Sequence, residues 1–283
     1  MRMVPGDHTA SPAIASRSRL GLVIFFGMAF SLSWLLVGLI ALVWGRNALP
    51  PAVTVSMFIL GPLLGAFGAS AYAEGWIGVR GLLSQWVRWR VAPRWYAIAL
   101  GVPALIVAAS ALLFLALGGS VPPALPRSIW LAVPLMLIAF VIGGLLEETG
   151  WRGYALPQLQ PHMGALWASI ILGVIHACWH LPLFFIPGAG FDAITFPVYL
   201  VITMTLSVLF TWVYNSTGRS LLLVSIAHAS VNVWMANLWG RAVAALPSTA
   251  GGPDPAILYA VALTVAAVLL VLCTDRRTLT RPE

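Results

Sequence analysis

The stretch GGLLEETGWRGY, residues 143–154, places two adjacent carboxylates, Glu147 and Glu148, at the end of an uncharged apolar run. That run extends over the eighteen residues from Ile129 to Leu146. Arg152 follows the second glutamate by four residues. An uncharged run of this length is typical of a membrane-spanning helix, where an ionisable side chain is costly and is by default a candidate for function. The stretch therefore predicts a membrane protein and locates its candidate chemistry.

The composition of the whole chain supports the same fold class. The 283 residues are 60% hydrophobic and 8% charged, whereas soluble domains contain roughly 25% charged residues. In hydrocarbon every backbone amide needs an internal partner, which a long apolar run obtains as a helix. We therefore predict an all-α, polytopic integral membrane protein of about eight transmembrane helices with an intramembrane active-site cavity. The predicted spans are 20–45, 50–73, 95–118, 129–152, 165–187, 196–214, 220–240 and 256–273.

The basic residues predict how these helices are oriented. All fifteen are arginines, and only Arg46, Arg127 and Arg241 fall on the side opposite the termini in this arrangement. Because basic loops remain in the cytoplasm, we expect a multi-pass protein of the inner cell membrane with both termini cytoplasmic. The net charge of +7 then reflects topology and contact with membrane lipid, and predicts no nucleic-acid partner. The all-arginine set suggests a bacterial source.

No soluble domain is predicted. We expect residues 1–18 to be a disordered cytoplasmic tail, 19–275 a single transmembrane domain with its core at about 129–240, and 276–283 a second cytoplasmic tail. The segment 75–95 interleaves tryptophans with arginines and is predicted to lie among lipid headgroups. The two cysteines lie in apolar runs and predict no disulfide framework.

Polar side chains on three predicted helices recur at a spacing of four residues, which places both members on one helix face. The pairs are Glu148 with Arg152, His176 with His180, and His228 with Asn232. Glu147 points about 100° away from Glu148 and stays outside the arginine pair. We predict a shared functional site of Glu147, His180, His228 and Asn232, supported by Glu148, Arg152 and His176.

These three segments together resemble the CPBP family of intramembrane proteases, which includes the CaaX prenyl endopeptidases and the bacteriocin-immunity (Abi) proteins. That family carries EExxxR, FxxxH and HxxxN/D motifs on successive membrane helices. Here EETGWR (Glu147 to Arg152) and HASVN (His228 to Asn232) match in full. HACWH keeps the family histidine as His180, but His176 stands where the family usually has an aromatic residue. The role of position 176 is therefore left open.

The resemblance implies an intramembrane endopeptidase, of either the glutamate or the metallo type. Peptide hydrolysis needs an activated water and a donor for the developing oxyanion. The hypothesis is that Glu147 and His180 activate the water, that His228 and Asn232 donate to the oxyanion, and that Glu148 with Arg152 positions Glu147. Zinc remains possible, with Glu147, His180 and His228 as candidate ligands, although metal-free activation is favoured.

Two other functions remain open: a non-proteolytic immunity or membrane-partner protein that keeps the protease site, and a proton-coupled transporter. The substrate is expected to be a peptide or protein that enters from the membrane or the cytoplasmic side. The sequence indicates neither the cleavage site in the substrate nor the oligomeric state of the protein. Counting residues along a straight helix from Met163 would place His180 too deep to meet Glu147. We therefore predict that residues 157–166 form a turn and a helix start that project into the cytoplasm.

Overall fold

The fold was analysed in a computed structural model, which describes residues 12–44, 59–119, 132–187, 191, 194–235 and 254–281. Within these residues the chain forms helices and turns and no strand. This confirms the predicted all-α class. The α-helices are α1 (Pro12–Trp44), α2 (Leu60–Trp86), α3 (Arg94–Ala116), α4 (Ala132–Ala139), α5 (Leu156–Trp179), α6 (Phe196–Ser216), α7 (Leu221–Trp234) and α8 (Pro255–Leu272).

Between α4 and α5 the helix is wider than an α-helix. Two π-helical segments, Phe140–Leu146 and Thr149–Ala155, flank the two glutamates, and a 3₁₀ turn, Leu181–Phe185, follows α5. Wide π turns occur mostly as short insertions, frequently at functional sites. The apolar stretch Met136–Phe185, which covers most of the two spans predicted at 129–152 and 165–187, is helical over 50 residues with an interruption at Gly164.

Five helical stretches of the described residues are long and apolar enough to cross a membrane. They confirm a multi-span helical protein but not the predicted count of eight. The helix α7 is apolar but shorter, and the predicted span 50–73 lies partly outside the described residues. The five stretches are Arg19–Val43, Arg94–Ala116, Met136–Phe185, Phe196–Ser216 and Pro255–Leu272.

The packing places polar groups inside and apolar side chains outside. Helix α1 packs along α2, α5 along α6, and α3 against both α7 and α8, while α7 also contacts the π-helical segments. Large apolar side chains such as Leu35, Leu42 and Leu105 are exposed, whereas Glu148 and Arg152 are fully buried. This is the arrangement expected when the outer surface faces lipid and ionisable groups face the helix bundle.

The predicted tails have partly regular structure. Helix α1 begins at Pro12, inside the tail predicted for residues 1–18, and residues 1–11 lie outside the described part. Near the other end, the Asp275 carboxylate accepts hydrogen bonds from the backbone N–H groups of Arg277 and Thr278. Leu279 is fully buried beside α5 and α8. Residues 274–281 therefore pack on the helix bundle.

Gly164 interrupts α5 with backbone angles of φ 77° and ψ 165°. Beyond this break, the N–H groups of Ala165 and Leu166 donate to the carbonyls of Arg277 and Arg276. The C-terminal segment thus provides acceptors for backbone donors that the interruption removes from the helix ladder. The predicted turn at 157–166 corresponds to the first turns of α5 followed by this break, and their position relative to a membrane stays a prediction.

We expect Gly164→Ala to destabilise the protein by about 1–3 kcal/mol, because this backbone region is essentially restricted to glycine. Gly101→Ala is the matched control, since an added methyl group in the middle of α3 meets no atom within 4 Å. The measurement is the thermal unfolding midpoint in one detergent. Equal midpoints for the two variants would show that the conformation at residue 164 is not needed for stability.

Candidate active site

The Glu148 carboxylate lies at the centre of a buried ion cluster. The Arg152 Nη1 atom donates a hydrogen bond to Glu148 Oε1 at 3.2 Å and makes an ion-pair contact with Oε2 at 3.1 Å. The His228 Nδ1 atom donates to Oε1 at 2.7 Å. Because a buried carboxylate needs both charge compensation and hydrogen bonds, these two contacts explain how Glu148 is fully buried.

Phe210 contacts the two side chains that donate to Glu148, namely His228 and Arg152, and holds them in place. Its ring is stacked on the His228 imidazole with 5.3 Å between centroids. The Arg152 guanidinium lies over the Phe210 ring at 5.2 Å from its centroid. Planar stacking and cation–π contact both restrict rotation of the polar groups. The sequence motifs contain no signal for Phe210, which lies on α6 far along the chain from all three.

The second carboxylate, Glu147, has a different partner. His176 Nε2 donates to Glu147 Oε2 at 2.9 Å. The His176 ring is stacked on Trp151, with centroids 4.7 Å apart and planes at 29°. The side chain whose role was left open thus contacts the predicted catalytic glutamate directly. Its spacing of four residues from His180 was the available sequence signal.

His180 joins the same group from the end of α5. Ligand atoms of Glu147, His176 and His180 all lie within 4.8 Å of one another, and all three side chains are buried. The His180 Nδ1 atom donates to the His176 carbonyl at 3.0 Å. Because a carbonyl oxygen can only accept, the Nδ1 atom carries the proton and Nε2 carries the lone pair in neutral His180. Glu147 of the first motif and His180 of the second, both predicted site residues, are therefore close together.

Asn232 and His228 face the π-helical segment at Gly143. A Cβ atom added at Gly143 would lie 2.6 Å from Asn232 Nδ2 and 3.7 Å from His228 Nε2. Both nitrogen atoms therefore point toward the space beside this glycine, one helical turn before Glu147. Gly143 is not among the predicted site residues, although its spacing of four residues from Glu147 could have indicated it.

The structure thus divides the predicted residues into two adjoining groups. Glu147, His176 and His180 form one group, and Glu148, Arg152 and His228 form the other, with Asn232 one turn beyond His228. Of the predicted zinc ligands, Glu147 and His180 lie in the first group. His228 uses Nδ1 to bind Glu148 and does not belong to the three-residue group that could hold a metal ion.

Comparison with known proteins finds its match in the part of the chain that carries the three motifs. Residues 128–234 match the family model for type II CAAX prenyl endopeptidase Rce1-like proteins. A relative named CAAX prenyl protease 2, from Methanococcus maripaludis, is 29% identical over 107 residues. This match covers 36% of the present chain and 39% of the relative, so the chain matches about two fifths of the relative's length. The family match and this relative both support assignment of the matched segment to the CPBP/CAAX protease family, in agreement with the resemblance recognised from the three motifs.

We expect Arg152→Met to destabilise the protein by about 3–5 kcal/mol, because it leaves the Glu148 carboxylate buried without its guanidinium partner. The measurement is thermal or denaturant unfolding in detergent. Adding Glu148→Gln should recover part of the loss, since the unpaired charge is then removed. The control is Arg80→Met on the exposed side of α2, which should change stability by less than about 0.5 kcal/mol. Equal effects of the two arginine substitutions would contradict a structural ion cluster.

Proposed function

We propose that the protein is an intramembrane endopeptidase in which Glu147 and His180 activate the water that attacks a peptide bond. The observation that carries the proposal is the convergence of one carboxylate, two imidazoles and two further nitrogen donors, from three sequence motifs, inside an otherwise apolar bundle. The match of residues 128–234 to the type II CAAX prenyl endopeptidase family model supports the same function.

The geometry around Glu147 suits a general base. His176 binds the Oε2 atom, so the Oε1 atom is the carboxylate oxygen that faces the attacking water. In the proposed step Oε1 takes a proton from the water while the water oxygen bonds to the carbonyl carbon of the substrate. His180 Nε2, which carries a lone pair, accepts a hydrogen bond from the same water and orients it.

The geometry around Gly143 suits stabilisation of the oxyanion that this attack creates. Asn232 Nδ2 donates in every protonation state. His228 Nε2 donates when the imidazole carries both protons, a positive charge that the neighbouring Glu148 carboxylate balances. When the tetrahedral intermediate collapses, the proton held by Glu147 passes to the leaving amine. Arg152 and Phe210 are positioning residues in this scheme, because they fix Glu148 and His228 rather than touch the substrate.

The substrate and the surroundings of the protein are part of the same proposal. We infer a peptide or protein substrate that reaches the cavity from the membrane or the cytoplasmic side, in an inner-membrane protein with cytoplasmic termini. The relative from Methanococcus maripaludis has the word prenyl in its name. A peptide with an attached lipid is therefore one substrate to assay. No observation favours the immunity-partner or transporter alternatives.

The central test compares protein termini in membranes from cells that make the wild type or Glu147→Gln. The substitution removes the base while it keeps size and polarity, and we expect cleavage to fall at least about 100-fold. Glu74→Gln is the control, because it removes an exposed carboxylate of α2 and should leave cleavage unchanged. If a folded Glu147→Gln protein produces the same termini as the wild type, Glu147 is not the base and the immunity-partner function takes precedence.

The oxyanion assignment has a separate test in Gly143→Ala. The added methyl group would occupy the space beside Asn232 Nδ2, and we expect kcat to fall about 10²- to 10³-fold, as when an oxyanion donor is lost. Gly101→Ala controls for the change of glycine to alanine in a helix. Rapid cleavage by a Gly143→Ala protein with normal thermal stability would place the oxyanion elsewhere.

A further inference from the structure

We infer that Glu147, His176 and His180 form a binding site for a divalent transition-metal ion of the zinc type, and that His176 rather than His228 is its second imidazole ligand. The inference concerns the cavity to which we have assigned the chemistry, so its catalytic consequence rests on the proposed function. The binding itself does not, and can be measured without a substrate.

The donor set has the composition that zinc prefers. Two imidazole nitrogens and one carboxylate oxygen are common ligands of catalytic zinc, which keeps a fourth position open. His176 and His180 are four residues apart near the end of α5, and that spacing places two imidazoles on one helix face. Glu147 contributes its oxygen from the joint between the two π-helical segments.

The distances allow the three donors to close around an ion. Donor atoms around a tetrahedral zinc ion are about 3.3 Å apart, given bonds of about 2.0–2.1 Å. In the structure His176 Nε2 lies 2.9 Å from Glu147 Oε2, and no pair among the three ligand atoms exceeds 4.8 Å. The required separation lies between these values. Each donor separation therefore has to change by no more than about 1.5 Å to reach the zinc value.

The surrounding contacts orient the His180 imidazole as a metal site requires, whereas His176 would bind the ion once the Nε2 proton that it donates to Glu147 is lost or moved to Nδ1. A histidine that binds a metal usually donates its other ring N–H to a carbonyl or carboxylate. His180 has this arrangement, with Nδ1–H donated to the His176 carbonyl, so that Nε2 offers the lone pair. Trp151 stacks on the His176 ring and Tyr199 contacts the His180 ring, which limits their rotation.

The buried carboxylate of Glu147 favours a cation beside it. Arg152 and His228 both bind Glu148. Among the described residues, the ion-pair partner recorded for Glu147 is His176, and a neutral imidazole brings no charge. A divalent ion would compensate the buried carboxylate directly. When bound, the ion would occupy the His180 Nε2 lone pair, which orients the water in the metal-free scheme, and would supply a Lewis acid in its place.

His228 lies outside this ligand set, because its ring nitrogens do not belong to the group of close ligand atoms that Glu147, His176 and His180 form. Its Nδ1 atom is engaged with Glu148 at 2.7 Å, and its Nε2 atom faces Gly143 beside Asn232. The imidazole is thereby directed to the oxyanion side of the cavity. The change at position 176, where the family usually has an aromatic residue, supplies the second nitrogen that the motif histidine at 228 does not.

The test measures metal binding by the full chain in detergent after chelator treatment. Zn²⁺ is titrated by calorimetry, bound metal is counted by mass spectrometry, and the visible spectrum is recorded with Co²⁺ as a probe. We expect one ion per chain and the strong absorption of a low-coordinate Co²⁺ site. His176→Phe should weaken Zn²⁺ binding at least about 10-fold and abolish that absorption.

The controls separate the proposed ligand from other sources of binding. His162→Phe makes the same change at an exposed position of α5 and should bind Zn²⁺ like the wild type. His176→Gln is a second variant that keeps a polar side chain in case phenylalanine disturbs folding, and it should also lose the Co²⁺ absorption. Binding that persists in both His176 variants, or stripped wild type that takes up no ion, would overturn the inference.

The peptidase assay shows which of the two proposals fails. If stripped wild type binds no Zn²⁺ yet still cleaves its substrate in a manner that depends on Glu147, the metal site is wrong and the proposed function stands. If one ion binds through His176 while Glu147→Gln leaves cleavage unchanged, the metal site stands and the proposed water activation is wrong.

Discussion

Two adjacent carboxylates are buried in an apolar helix bundle, and the rest of the site depends on how each is compensated. Burial of an unpaired carboxylate costs several kcal/mol, so two neighbours on one helix cannot share one partner. In the structure the two carboxylates point toward different helices. Glu148 takes a guanidinium and the imidazole of α7, whereas Glu147 takes an imidazole of α5. The three motif-bearing segments are held together by this division.

The π-helical segments on both sides of Glu147 and Glu148 give this division its geometry. In a regular α-helix, adjacent side chains diverge by about 100°, and the wider π turns alter where each carboxylate points. The widened backbone also brings Gly143 against the side chains of α7, where the absence of a Cβ atom leaves space beside Asn232. Backbone shape and side-chain chemistry therefore act on the same few residues.

The fold class and most of the site could be predicted from the sequence, because long uncharged runs and polar pairs spaced by four residues are local signals. From these signals we predicted that Glu147 lies close to His180 and that Glu148 pairs with Arg152. The contact of His176 with Glu147 could not be predicted, because it depends on how α5 is rotated against its neighbours. Phe210 was missed for the same reason, and the predicted count of eight helices is not confirmed by the five apolar stretches of the described residues.

The contact between the C-terminal segment and α5 has a consequence for the order of folding during biosynthesis. The N–H groups of Ala165 and Leu166 are bonded by carbonyls of residues 276–277, which leave the ribosome long after α5 itself. Until then, the helix that carries His176 and His180 has unsatisfied donors at its interruption. These two hydrogen bonds beside Gly164 therefore form only after α6, α7 and α8 have been synthesised. The last residues to be translated thus complete the backbone bonding of the helix that carries two histidines of the polar centre.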